Sequence, residues 1–200
     1  MLTRILLNLF VCAFLLVFLS GFRHVLRRAA PDHDWVAGLA FTAGLVYVVV
    51  TLVSNSMEAG AVFAAHGTPV DPTTDGPLAA GHTLLYGSIG RITTTLFLTA
   101  SGFVALRTPL LPDWAGRTAY AVAAVNLAFV PSLYFGTDPA DFYSAIGWGT
   151  TAVVASLLMY WILALSIHLL RPGSRTATVS GGTYSRSHGY ASESPAGSDR

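Results

Sequence analysis

Lysine is absent from the chain, cysteine occurs once, and charged residues of all kinds make up only 10% of it. Each shortage excludes something. Soluble globular domains carry about 25% charged residues, so this is not the composition of an ordinary soluble domain. A single cysteine, Cys12, excludes an intrachain disulfide. It lies inside an apolar run, without the small residues that a lipoprotein site needs before it, and reads as a packing residue. All eleven basic residues are arginine, and a net charge of +1 gives no reason to expect nucleic acid as a partner. Signatures of catalysis are missing too. There is no phosphate-binding glycine loop, no nucleophile elbow, no CxxC, and no pair of carboxylates inside an apolar run.

What the chain has is apolar length. Apolar residues make up 53% of it and are gathered in runs too long for the core helices of a small domain. A hydrocarbon layer of roughly 30 Å requires about 20 apolar residues in helical form. The runs predict an all-α, polytopic transmembrane helix bundle over residues 1–171, with five spans at about 2–25, 35–57, 77–106, 117–135 and 142–170. The first run is long for a signal peptide. It also ends in Arg23-His-Val-Leu-Arg27-Arg28 rather than a small-residue cleavage site, so it reads as a span. Pro31-Asp-His-Asp34 breaks the chain before the second span, with Asp34 as the expected N-cap. Pro77 suits the first position of the third. Turn-rich segments at 67–76 and 136–139 separate the later spans. Residues 172–200 are rich in Ser, Gly and Thr and hold too little apolar surface to offset chain entropy, which predicts a disordered cytoplasmic tail.

The arginines are distributed unequally between the segments that join these spans. Arg23, Arg27, Arg28, Arg107, Arg117, Arg171 and Arg175 fall on one side of a five-span chain. The other side has only Arg4, together with Glu58, Asp71, Asp75, Asp138 and Asp141. The positive-inside rule then places the protein in the cell membrane as a multi-pass chain, N-terminus outside and C-terminus cytoplasmic. Trp35 and Trp114 fall where the inner aromatic belt belongs.

Arg91 is the strong charge set deepest in a span. It lies fourteen residues beyond Pro77, roughly 21 Å along a helix that rises 1.5 Å per residue. A mid-membrane charge costs about 2.5–3.5 kcal/mol on insertion scales, so Arg91 is expected to face the bundle or a wet cavity. Asn126 lies at a similar depth on the fourth span and is the expected partner, with Thr94 and Thr95 supplying further polar contacts. An intramembrane arginine serves either an anion or substrate site or the pinning of helices through Asn and backbone carbonyls. The pinning role is the plainer of the two. Glu58, His66, Asp71, Asp75, His82, Asp138 and Asp141 form a second group. Their spacing matches no zinc signature. Glu58, His66 and His82 are weak metal candidates within what reads as a solvated acidic rim, and no metal or cofactor is expected. Asn8 and Asn55 are expected at the interface. Gly147-Trp148-Gly149 with Thr150 and Thr151 reads as a small-residue packing face.

Two motifs carry a family resemblance. One is Phe18-x-x-Gly21-Phe-Arg23-x-x-Leu26-Arg27-Arg28 followed by a short Pro/Asp break and a span opening at Trp35. The other is Leu106-Arg-Thr-Pro-Leu-Leu111-Pro112-Asp-Trp114-x-Gly116. Over roughly Arg4 to Leu170 the chain resembles uncharacterised multi-pass integral membrane proteins of high-GC, actinobacterial-type bacteria, a domain-of-unknown-function group. An all-arginine basic set with abundant Ala and Gly fits such a genome. The resemblance implies fold and membrane location and adds nothing about chemistry. Members of that group often begin with an additional span, whereas here the Arg4-Ile-Leu-Leu helix follows Met1 almost directly. A shortened form, or a gene model begun too late, is therefore expected.

Taken together, the residues lead to a membrane-embedded structural or interaction protein that is not an enzyme and has the lipid bilayer as its partner. The alternative is a transporter, channel or small-ligand binder that uses Arg91. A third is a membrane enzyme acting at the outer face. The lack of acid pairs within the spans argues against a proton-driven pump, and five spans cannot form two matched inverted halves without an odd helix.

Overall fold

The structure is a computed structural model that describes residues 2–64, 79–108 and 111–170. Within them the chain is helical, with no strand. Six α-helices follow one another: α1 Leu2–Ala29, α2 Asp34–Ala64, α3 Ala79–Tyr86, α4 Arg91–Arg107, α5 Asp113–Ala128 and α6 Val154–Leu170. A 3₁₀ turn at Pro31–His33 joins α1 to α2, another at Val130–Tyr134 extends α5, and a π-helical turn at Gly149–Val153 leads into α6. Three stretches are long and apolar enough to cross a membrane: Leu2–Arg28, Pro31–Ala64 and Gly149–Leu170. Leu6, Phe10, Phe14 and Val17 form an exposed stripe along α1 at helical spacing. Such a surface suits hydrocarbon rather than water.

α1 and α2 run antiparallel, and small residues on α2 let them close up. A Cβ added to Gly44 would stand 2.5 Å from a methyl of Leu19. Leu15, Leu19, Phe22 and Leu26 of α1 are buried, as are Ala37, Ala40, Ala43 and Val48 of α2. α2 also packs on α3 and α4, α4 packs on α5, and α5 on α6. At the centre Phe22 and Phe97 each meet Trp161 edge to face and lie tilted to one another, with centroids 6.0–6.3 Å apart. The Trp161 indole donates to the Ala115 carbonyl at 3.0 Å, so the apolar ring is buried and its one donor is satisfied.

The arginine-rich helix ends collect at one end of the bundle. Arg27 pairs with Asp34 at 2.5 Å, and the Arg23 guanidinium lies 4.8 Å over Phe41. His33 packs on Phe103, and Trp114 on His168. The Arg27–Asp34 pair revises one expectation. Asp34 has helical backbone angles and turns its carboxylate to Arg27. The break itself is made by Pro31, which holds Ala30 out of the helical region.

Three span boundaries also differ from expectation. The third run is not one helix. It is interrupted at 87–90, where the Ile89 N–H reaches back five residues to the Leu84 carbonyl at 3.3 Å, before Arg91 N–H bonds Gly87 O at 3.2 Å. Gly87 and Gly90 each weaken a helix by about 1 kcal/mol relative to Ala. Gly87 is also needed for a close approach, since a Cβ there would stand 2.8 Å from Thr83 O and 3.0 Å from Ala145 O. α5 begins at Asp113, after Pro112 at its N-cap, and not at 117, and it gives way to the 3₁₀ turn after Ala128. The last helix does not begin at 142. A Cβ on Gly147 or Gly149 would meet the carbonyl of Asp141 or Phe142 at 2.1 and 2.4 Å, because the chain there folds back in turns. Helical structure starts at Gly149 as a π turn. Pro77 and residues 171–200, with the tail expected there, lie outside the described residues.

α4 and α5 approach most closely at a pair of glycines. A Cβ on Gly102 would lie 3.1 Å from Gly116 O and 3.2 Å from the Ala119 methyl. Around Gly21 on α1 the space is open. Gly102→Val is therefore expected to destabilise the protein by about 1–3 kcal/mol through overpacking. Gly21→Val serves as the control and should leave thermal unfolding in detergent near the wild-type midpoint. Equal effects at the two sites would contradict the packing described.

Candidate functional site

The polar residues of α1 and α2 lie on facing stripes. On α2, Tyr47, Thr51, Asn55 and Glu58 are spaced four, four and three apart, which puts them on one face. On α1, Arg4, Leu7, Asn8 and Val11 share the opposing face. Because the helices are antiparallel, the first turns of α1 meet the last turns of α2. Arg4 forms an ion pair with Glu58, and one turn deeper the Asn8 amide donates to Asn55 Oδ1 at 3.0 Å. From Glu58 to Tyr47 the α2 stripe descends eleven residues, roughly 16 Å at 1.5 Å per residue.

A cleft of about 410 Å³ runs beside these rungs, bordered on its third side by Thr151 and Ala155. The π turn supplies that wall. Thr150 and Thr151 hydroxyls bond Ser144 O and Gly147 O at 2.7 and 2.9 Å, tying the turn to the folded-back segment before it. π turns insert an extra residue into a helix and frequently occur at functional sites. Leu7 and Val11 line the rim. Tyr47 forms the floor. Beneath it the next space, between Gly44, Thr94, Phe97 and Leu158, is only about 10 Å³, room for a single water at most. The cleft is thus a partly open groove in which the polar side chains of the two stripes sit among apolar ones.

The ion pair at its mouth is asymmetric. The Glu58 side chain is 4% exposed and that of Arg4 57%. Deeper in, Asn55 is 7% exposed and its Nδ2 has no hydrogen-bond partner among the described residues. Exchanging oxygen and nitrogen in both amides preserves the Asn8–Asn55 bond and still leaves one buried Asn55 atom open. A buried polar atom without a partner costs about 1–3 kcal/mol.

Arg91 is fully buried and begins α4. It is not among the residues that line the cleft. Asn126, also fully buried, does not bond to it. The Asn126 amide donates to Val122 O at 2.9 Å, and its Oδ1, the one atom able to accept from a guanidinium, has no hydrogen-bond partner among the described residues. Thr94 and Thr95 turn their hydroxyls to Gly90 O and Arg91 O on their own helix. The expected Arg91–Asn126–threonine cluster is therefore not assembled.

The second expected group also divides. Glu58 and His82 are buried, not part of a solvated rim. His82 joins α3 to α2 through its carbonyl, which accepts from Ser54 Oγ at 2.8 Å. Asp138 and Asp141 are exposed. His66, Asp71 and Asp75 lie outside the described residues. Among the described residues no three His, Cys, Asp or Glu side chains converge as a metal site. Asn8 and Asn55 are not merely interfacial, since they form the second rung of the stripe.

Asn126 yields a direct check. Since its oxygen is unsatisfied and its amide bonds only its own helix, Asn126→Leu removes a buried polar group without stranding Arg91. The variant is expected to unfold within about 1 kcal/mol of wild type, or to be more stable. A loss as large as about 3–5 kcal/mol, the cost of stripping a partner from a buried charge, would show that Asn126 holds Arg91.

No protein-family model matches the chain, and no curated protein or solved structure is significantly similar to it.

Proposed function

We propose that the chain is a multi-pass cell-membrane protein that binds a small polar ligand, without catalysis, in the cleft between α1, α2 and α6. Five crossings are proposed: α1, α2, α3 with α4, α5 with its 3₁₀ extension, and the π turn with α6. The near-continuous hydrogen-bond ladder through 87–92 supports counting α3 and α4 as one crossing. The clustering of Arg23, Arg27 and Arg107 with Trp114 at one end of the bundle supports that end as cytoplasmic. The cleft then opens outside, where Arg4 and Glu58 lie.

One observation carries the ligand-binding reading. Among the described residues a cleft of about 410 Å³ lies between these helices, with Arg4, Asn8, Thr51, Asn55 and Glu58 among the residues that line it. Of the expected roles, small-ligand binding accounts for that space, whereas a purely structural role does not. Arg91 does not line the cleft and is not a direct contact there. A structural role retains one observation in its favour. The Arg4–Glu58 and Asn8–Asn55 rungs cross between helices, and interhelical polar pairs of this kind bind spans together.

Substituted cysteines distinguish these readings and fix the topology. Cys12 is buried, and Cys12→Ala provides a cysteine-free background. In intact cells a membrane-impermeant thiol reagent is expected to label Thr51→Cys and Asp138→Cys but not Asp32→Cys or the outward-facing Val49→Cys, because thiolate chemistry requires water. Thr51→Cys inert while Asp138→Cys reacts would favour the structural role. Labelling at Asp32→Cys in place of Asp138→Cys would reverse the orientation.

A further inference from the structure

Phe103 and Arg107 are four residues apart on α4, and Arg117 and Tyr120 three apart on α5, spacings that put each pair on one helix face. The Arg107 guanidinium lies 4.9 Å over the Phe103 ring. Phe103 and Tyr120 in turn line a groove of about 210 Å³ between α2, α4 and α5, together with Val36, Leu39, Leu96 and Thr99. We infer that this groove seats one acyl chain of an acidic phospholipid whose phosphate is held by Arg107. Such a site requires only that the bundle lies in a bilayer, and it is independent of any ligand between α1, α2 and α6.

Shape and lining fit a hydrocarbon chain. The groove follows α4 from Phe103 back to Leu96, away from the arginine-rich end and into the bundle. Those seven residues span roughly 10 Å at 1.5 Å per residue. Apart from Thr99, the side chains along that depth are apolar. Trp35, exposed in the first turn of α2, stands at the arginine-rich end of the groove. Tryptophan settles at the level of lipid headgroups, so the groove begins there and descends among the acyl chains. Apolar surface at that depth is covered by hydrocarbon, not by water.

Charge selects the headgroup. Arg23, Arg27, Arg28, Arg107 and Arg117 stand at this end against Asp32, Asp34 and Asp113, an excess of positive charge. Arg27 is paired with Asp34, and Arg23 lies over Phe41. Among the described residues no carboxylate pairs with Arg107 or Arg117, and Asp113, one turn before Arg117, is not within ion-pair distance of either. Contact with a ring does not consume the N–H donors of a guanidinium, two of which can hold a phosphate side by side. Basic residues beside a groove between spans recognise acidic lipid headgroups in this way. Phosphatidylcholine carries its own cation and offers the excess charge nothing. A second copy of the chain is a poorer occupant. Two copies in one bilayer share an orientation, so a copy docked here would bring its own arginines against these, and like charges across an interface are unfavourable.

The test is thermal unfolding of the full chain in an uncharged detergent, as dioleoyl phosphatidylglycerol or dioleoyl phosphatidylcholine is added. Phosphatidylglycerol should raise the midpoint by several degrees, by the linkage that any ligand of the folded state exerts. Phosphatidylcholine, with the same chains, should raise it clearly less, and inorganic phosphate should leave it unchanged. Arg107→Gln should weaken phosphatidylglycerol binding roughly ten- to hundredfold, as expected for losing a charged hydrogen bond, and leave the phosphatidylcholine response as it is. Arg28→Gln removes the same charge from the same end, on α1 and outside the groove, and should keep the wild-type preference. Thr99→Phe puts a ring into the groove from an exposed position, so it should fold and respond weakly to both lipids. Equal responses to the two lipids would mean that the groove does not choose a headgroup, which overturns the inference. So would equal losses in Arg28→Gln and Arg107→Gln, the mark of diffuse charge. An undiminished phosphatidylglycerol response in folded Thr99→Phe would place the lipid elsewhere. A dimer in lipid-free detergent that Thr99→Phe dissociates would put a second copy in the groove instead. If Thr99→Phe fails to fold, the two arginine variants decide alone.

Discussion

Hydrocarbon offers no hydrogen bonds, so a polar side chain on a membrane-crossing helix must find its partner on the protein or in enclosed water. That constraint organises this chain. α1 is exposed along Leu6, Phe10, Phe14 and Val17, yet its other face carries Arg4 and Asn8. These two can be accommodated only against α2, which meets them with Glu58 and Asn55. Register between the helices follows, and the apolar contacts from Leu15 to Leu26 fall into line below. The small residues of α2 complete the fit by letting Leu19 come to rest against Gly44.

The same constraint explains why a cleft persists. Helices fully zipped by apolar side chains would leave no space between them. Here the stripes carry groups of unequal length, and the π turn before α6 moves Thr151 and Ala155 to the third wall without filling the gap. Glycines at 147 and 149 make the turn possible, since a side chain at either would collide with backbone carbonyls of the preceding segment. The π turn is thus a local departure from regular helix that lies beside the cleft.

Much of the architecture was legible from run length alone. α1, α2 and the body of α6 are apolar for long enough that no other element fits, and their ends follow from Pro31 and the arginines. The interruption at 87–90 was not legible in the same way. Gly87 and Gly90 were visible beside Arg91, but a shift from four-residue to five-residue hydrogen bonding leaves the apolar pattern intact and needs Ala145 to explain it. The start of α5 had a local signal, Pro112 before Asp113, that a count of apolar residues overrides. Glu58 looked like a loop acid because its partner is 54 residues away in sequence. Asn126 and Arg91 looked like partners because depth was the only coordinate available, and depth does not say which way a side chain turns. The signal that could have found the cleft was the four–four–three spacing of Tyr47, Thr51, Asn55 and Glu58 within an apolar run, matched by Arg4 and Asn8 one turn apart.

The central claim is that the space between α1, α2 and α6 belongs to polar molecules rather than to lipid or to side chains. Density from the protein embedded in a bilayer, at a resolution that shows ordered water, addresses it most directly. Discrete solvent or solute peaks are expected in the cleft lined by Tyr47, Thr51, Asn55 and Thr151. Continuous acyl-chain density in that space, or Leu7 collapsed onto Ala155 with the space gone, would contradict it.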